Sequence, residues 1–142
     1  MRRKSILLVE DNPDDEALTL RALRKHDLAD EVVVVRDGAE ALAFFYEATR
    51  AGHESLPELV LLDLKLPKVD GLQVLKILRD DVHTRRLPVV VLSSSSEERD
   101  IVQSYDLGAN SYVRKPVDFA EFSEAVRQLA IYWLGLNEPS PR

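Results

Sequence analysis

No cysteine occurs in the 142 residues, which excludes disulfides, thiolate metal sites and thiol nucleophiles and agrees with a reducing, cytoplasmic setting. Nor does any apolar run approach the roughly 20 residues that a bilayer span requires. The short run Ile6–Val9 behind the basic start Met1-Arg2-Arg3-Lys4 stops at Glu10, too soon for a secretory core, and reads as a strand. Positive charge is in deficit: 19 Lys and Arg against 25 Asp and Glu leave a net charge of -6, a field that repels a phosphate backbone and argues against nucleic-acid binding. The three histidines, His26, His53 and His83, are scattered over helix ends and loops with no shared spacing, so neither a histidine metal site nor a histidine relay is expected. Repeats and low-complexity segments are missing too, and the length leaves room for one folded domain.

What is present is a regular alternation. Short β-branched-rich runs at Ser5–Val9, Glu31–Val35, Leu59–Leu62, Pro88–Leu92 and Ser111–Val113 have the length of strands. Between them, apolar residues at three- and four-residue spacing predict helices over Pro13 to His26, Ala39 to Ala51, Leu72 to Arg79 and Glu97 to Leu107, with Phe119 to Leu134 last. Strict strand-then-helix order demands crossovers, hence an α/β fold: a doubly wound (βα)5 domain with a parallel sheet and helices on both faces. The first, third and fourth strands are almost continuously apolar, which predicts central positions covered on both sides. The domain is expected over residues 4–134, followed by a short tail, 135–142, whose final residues look unstructured.

In such a sheet the chemistry collects just beyond the carboxyl ends of the strands. Those positions hold Glu10 and Asp11, then Asp63, then Ser93, and finally Lys115-Pro116. Carboxylates brought together repel unless a cation sits among them, and an oxygen-only donor set suits a hard divalent ion such as Mg²⁺. A hydroxyl and an ammonium opposite would complete a cradle for a tetrahedral phosphoryl group. Asp63, held at the end of a buried strand, is the candidate nucleophile for an aspartyl phosphate. Plainer roles coexist: Glu10 and Asp11 also suit the N-terminus of the first helix, and Ser93 to Ser96 before Glu97-Glu98 read as a capping sequence for the fourth.

These residues resemble the receiver domains of response regulators over about Lys4 to Leu134. The resemblance rests on Leu8-Val9-Glu10-Asp11-Asn12, on Leu62-Asp63-Leu64-Lys65-Leu66-Pro67 with Asp70-Gly71, on Val91-Leu92-Ser93, and on Gly108-Ala109-Asn110-Ser111-Tyr112-Val113-Arg114-Lys115-Pro116. It implies a 2-1-3-4-5 strand order and Asp63 as phosphoacceptor. Glu10, Asp11, Asp63 and the backbone carbonyl of Lys65 would ligate Mg²⁺, and Ser93 and Lys115 would contact the phosphoryl group. It further implies a switch through Ser93 and the rotamer of Tyr112, a cis peptide at Lys115-Pro116, and lifetime-tuning positions at Lys65 and Ser95. The run Glu10-Asp11-Asn12-Pro13-Asp14-Asp15, the long loop before the third strand and the extended last helix resemble stand-alone regulators paired with phytochrome-type histidine kinases.

The last helix carries more apolar surface than one core stripe needs. An exposed apolar patch predicts an interface, and the resemblance to receivers implies a homodimer through the fourth helix, fifth strand and fifth helix, with Tyr112, Phe119, Phe122 and Trp133 at the interface; the alternative is that Trp133 folds back over the domain edge. The functional expectation is a single-domain, cytoplasmic response regulator phosphorylated by a histidine kinase, with no membrane or nucleic-acid partner. One rival is an adaptor that works without phosphorylation. Another is a Mg²⁺-dependent phosphohydrolase, against which stands Lys65 where such enzymes carry a second acid two residues past the nucleophile.

Overall fold

The structure, a computed structural model, describes residues 4–141; the basic start at Met1 to Arg3 and the terminal Arg142 lie outside the described residues. Strands β1 (Ser5–Val9), β2 (Glu31–Val35), β3 (Leu59–Leu62), β4 (Val89–Ser93) and β5 (Ser111–Arg114) form one parallel sheet in the order β2-β1-β3-β4-β5. Helices α1 (Pro13–Lys25), α2 (Gly38–Ala51), α3 (Gly71–Asp80), α4 (Glu98–Asp106) and α5 (Phe119–Ala130) supply the crossovers. The central strands β1, β3 and β4 are the continuously apolar ones, and β3 and β4 are buried along their whole length.

Alternation along each strand divides the core in two. Leu7, Val9, Val60, Leu62 and Val89 face Phe45 of α2 and Val74, Leu75 and Leu78 of α3. Ile6, Leu8, Leu59, Leu61, Val90 and Leu92 face Leu23 of α1 and Phe122, Val126 and Ala130 of α5. Helix α4 contributes little: among its described residues only Ser104 is buried, while Val102 and Tyr105 are exposed. Few buried apolar contacts make α4 the helix least firmly held to the sheet.

Asn12, Asp37, Asp70 and Asp118 each accept backbone N–H groups at the first turn of a helix, fixing where α1, α2, α3 and α5 begin. The serine cap expected for α4 is not formed. Its N-cap is Glu97, without a side-chain bond, because the serine that faces the helix, Ser95, stands two residues upstream; its hydroxyl accepts from Glu97 N at 3.2 Å and donates to Asp100 Oδ2 at 2.5 Å.

The last helix is also shorter than expected. Regular α-helix ends at Ala130 and a π-helical turn, Ile131–Leu136, follows, with Asn137 N donating to Tyr132 O at 2.6 Å. Leu134 stays four residues from Ala130, and Ala130 four from Val126, so all three remain on the core stripe. The tail beyond has no regular structure; Pro139 and Ser140 line a small cavity with Pro57, Arg86 and Pro88 at the end of the sheet opposite the strand carboxyl ends.

Candidate functional site

Backbone pairing carries each strand's register one residue past its end, and this delivers the polar side chains to one edge. Glu10 N donates to Val35 O at 3.0 Å, Asp63 N to Val9 O at 3.1 Å, and Lys115 N to Ser93 O at 2.8 Å. The three residues are therefore held by ladder hydrogen bonds and not by loop packing. One carboxylate oxygen from each of Glu10, Asp11 and Asp63 lies within 4.8 Å of the others. Glu10 is 2% and Asp63 8% exposed, whereas Asp11 opens to solvent.

The Lys115 ammonium sits among these groups, with Nζ 2.7 Å from Glu10 Oε1, 2.9 Å from Asp15 Oδ2 and 3.1 Å from Asp63 Oδ2. An ammonium has three protons, and three carboxylates take them. Burial works against the charge on Lys115, but the bonds to Glu10 and Asp15 and the charge of Asp63 outweigh it and raise the ammonium above its ordinary range. Glu10 is pushed the other way in its effect on charge. Burial, first, and the neighbouring Asp63 charge raise its carboxyl from 4.5 to about 7, although the Lys115 hydrogen bond lowers it. Both directions follow from one fact: a single ammonium is shared among several carboxylates, so it keeps its proton while the most buried of them is under-compensated. A divalent cation bound by oxygen donors is what this excess of negative charge fits.

The segment after Asp63 is folded tightly. Lys65 N donates to Asp63 Oδ1 at 3.3 Å, and Gly71 N to Leu64 O at 2.8 Å. A Cβ on Gly71 would lie 2.3 Å from the Asp63 carbonyl oxygen, so only glycine lets α3 start this close to the acidic edge. Lys65 then lines a shallow cleft with Asp11, Asp70 and Asp100.

Ser93 is the last residue of β4, one place further into the strand than its sequence context suggested, and is buried. Its Oγ accepts from Ser95 N at 3.2 Å; the Ser95 carbonyl accepts from the Tyr112 hydroxyl at 2.9 Å. Ser95 thereby connects Ser93, Tyr112 and, through Asp100, helix α4.

Two expectations are corrected. The Lys115-Pro116 peptide is trans. Trans is the favoured isomer by about 0.5–1 kcal/mol, and it already lets Lys115 bond Ser93 through its backbone and the carboxylates through its side chain. Phe122, assigned to an interface, is 3% exposed and belongs to the core face of α5 with Val126 and Ala130. Of its companions, Trp133 is half-buried against that same core, edge-on to Tyr132. Tyr112 is half-buried, and Phe119 is exposed with the Arg21 guanidinium 5.3 Å above its ring.

Asp15 is the functional neighbour that sequence reasoning missed. It appears in the Asp14-Asp15 pair after the Asn12 cap, but its partner Lys115 is 100 residues away. The one available signal was helical phase: Asp15 N donates to Asn12 Oδ1, and Asn12 N to Glu10 Oε2, so the cap ties the first turn of α1 to the acidic edge.

Residues 6–127 match the family model described as the response regulator receiver domain. Response regulator Rcp1 of Synechocystis sp. is 37% identical over 131 residues, covering 92% of this chain and 89% of its own. A crystal structure of the Mn²⁺-bound form of Rcp1 superposes with a TM-score of 0.87 at 34% identity, covering 96% of this chain and 99% of that one. The phosphorylated cyanobacterial phytochrome response regulator RcpA gives 0.88 at 40% identity, with 99% of both chains covered. The bacteriophytochrome response regulator RtBRR gives 0.75 at 52% identity, over 99% of this chain and 86% of that one.

Proposed function

We propose, from the premise that this chain belongs to the response regulator receiver family of two-component signalling, that Asp63 accepts a phosphoryl group from the phosphohistidine of a sensor kinase. The observation that carries the reading is the convergence of Glu10, Asp11 and Asp63 within 4.8 Å with the Lys115 ammonium 3.1 Å from Asp63. An Asp63 oxygen forms the new bond to phosphorus as the bond to the imidazole nitrogen breaks, and the imidazole leaves. Lys115 donates to a phosphoryl oxygen and offsets charge that would otherwise repel the incoming group. Glu10, Asp11, Asp63 and the Lys65 carbonyl are the residues that would hold Mg²⁺, which supplies charge neutralisation at the transferring oxygens when bound. The Mn²⁺-bound form of Rcp1 supports a divalent ion in this family.

The response travels through Ser93, Ser95 and Tyr112 to α4. The Ser93 hydroxyl, whose oxygen accepts from Ser95 N, moves to donate its O–H to a phosphoryl oxygen; the Ser95 carbonyl loosens its hold on Tyr112, and the thinly packed α4 shifts. Val102, Tyr105, Val117 and Phe119, exposed on α4, α5 and the β5–α5 connection, offer the apolar surface for a homodimer. The kinase is of phytochrome type, a reading supported by RcpA and RtBRR, both named as phytochrome or bacteriophytochrome response regulators. The setting is cytoplasmic, in keeping with a kinase donor.

Intact-mass analysis after incubation with acetyl phosphate and Mg²⁺ tests the acceptor. The wild type gains one phosphoryl group; Asp63→Asn and a chelator-treated sample gain none. A folded wild type that never gains the group overturns the reading in favour of a phosphorylation-independent adaptor.

A further inference from the structure

We propose that Asp15 is a positioning residue that holds Lys115 in place while the other two partners of the ammonium are engaged elsewhere. This rests on the reading of Asp63 as phosphoacceptor. Of the three carboxylates around Nζ, Asp63 is the group to be esterified, and Glu10 belongs to the oxygen cluster suited to a cation. Either event weakens that group's bond to Lys115. Asp15 lies outside the cluster, and its Oδ2 stands 2.9 Å from Nζ.

Its own placement is fixed from the backbone. Asp15 N donates to Asn12 Oδ1 at 3.1 Å, and its carbonyl accepts from the Thr19 hydroxyl at 2.8 Å, so the first turn of α1 is clamped above and below the carboxylate. Thr19 is fully buried. The Asp15 side chain is 26% exposed while that of Lys115 is 7% exposed. The Asp15 carboxylate thus lies on the more solvent-exposed side of the buried ammonium and takes one of its three protons. With Asp15 as a fixed anchor, the Lys115 N–H that now donates to Asp63 is the one free to turn to a phosphoryl oxygen. It is also the longest of the three contacts, at 3.1 Å.

A misdirected catalytic group slows a positioned reaction by an order of magnitude or more. Asp15→Ala is therefore expected to lower the initial rate of Asp63 phosphorylation by acetyl phosphate by roughly tenfold. Asp15→Asn, which keeps an acceptor oxygen without charge, should lose roughly half that effect on a logarithmic scale. In a Lys115→Met background the Asp15→Ala substitution should change the rate by less than about twofold, since the group it positions is gone.

A second readout needs neither metal nor phosphodonor. In ¹⁵N–¹H spectra selective for lysine ammonium groups, the three-fold bonded Lys115 should give a slowly exchanging signal in the wild type that is lost in Asp15→Ala and retained but shifted in Asp15→Asn. An unchanged signal overturns the proposal, as does a rate loss that persists in the Lys115→Met background. If the wild type takes up no phosphoryl group yet its signal is lost in Asp15→Ala, the anchor stands and the phosphoacceptor reading falls.

Discussion

Replacing Glu10 by Gln is expected to stabilise the metal-free protein at alkaline pH, although it removes a charge 2.7 Å from an ammonium. The reason is the balance at the site. Glu10 is buried beside Asp63, and its carboxyl is raised from 4.5 to about 7. A carboxyl raised in the folded state contributes stability that is complete below its unfolded value and is lost as pH climbs through the folded value. For Glu10 that window runs from about 4.5 to about 7, and at about 1.4 kcal/mol for each pH unit the loss is about 3 kcal/mol. Lys115 is raised instead; its contribution persists below the ordinary ammonium range and so does not bend the curve in this window. Urea unfolding in chelator between pH 4.5 and 8 measures the effect. Wild type and Glu10→Gln should come closest near pH 4.5, where the folded-state Glu10 carboxyl is neutral, and the variant should be the more stable by about 3 kcal/mol at pH 8. Adding Mg²⁺ should reverse the order at pH 8, because binding to the native state stabilises the wild type by mass action. A difference that does not change with pH, or a wild type that gains on the variant as pH rises without metal, would refute the reasoning.

Other substitutions probe the supports of the site. Gly38→Ala would place a Cβ 1.7 Å from the Val69 carbonyl oxygen, in the segment linking Asp63 to α3, and should destabilise by about 2–4 kcal/mol in thermal unfolding. Asn12→Ala removes the acceptor for Asp14 N and Asp15 N and should lose about 1 kcal/mol, with faster amide exchange at both residues. Ser95→Ala releases Asp100 and the Glu97 amide; hydrogen exchange along α4 should rise severalfold while the β3 core is unaffected. Dimerisation through the exposed α4–β5–α5 surface is checked by sedimentation: the wild type should associate at micromolar concentration, and Phe119→Ser with Tyr105→Ser should leave a monomer.

How much of this was legible in the sequence differs by element. The first three strands, Ser5–Val9, Glu31–Val35 and Leu59–Leu62, are bounded by charged residues on both sides, and their limits agree with the structure to the residue. β4 and β5 each end one residue later, at Ser93 and Arg114, because parallel pairing of those two residues extends the ladder beyond the apolar run, and β4 starts at Val89, not Pro88, which has no N–H for the ladder. Helix α5 was expected to reach Leu134 because apolar spacing cannot distinguish an α turn from the π turn that begins at Ile131. Phe122 faces the core although the apolar excess suggests an interface, because composition along one helix does not say which residues face the sheet.

What the sequence determined by itself was the set of residues that reach the strand carboxyl ends. Period and punctuation fix the order of strands and helices, and in a parallel sheet that order places Glu10, Asp11, Asp63, Ser93 and Lys115 at one edge. How those groups share charge follows from packing in three dimensions. Asp15 meets Lys115 across 100 residues, the Lys115-Pro116 bond remains trans, and Ser95 joins Ser93 to Tyr112 and Asp100. The Asp15–Lys115 and Ser95–Tyr112 contacts join groups 100 and 17 residues apart at about 3 Å. Local propensity acts over a few residues along the chain and has no reach across that separation, so packing alone selects among the partners that a shared edge makes available.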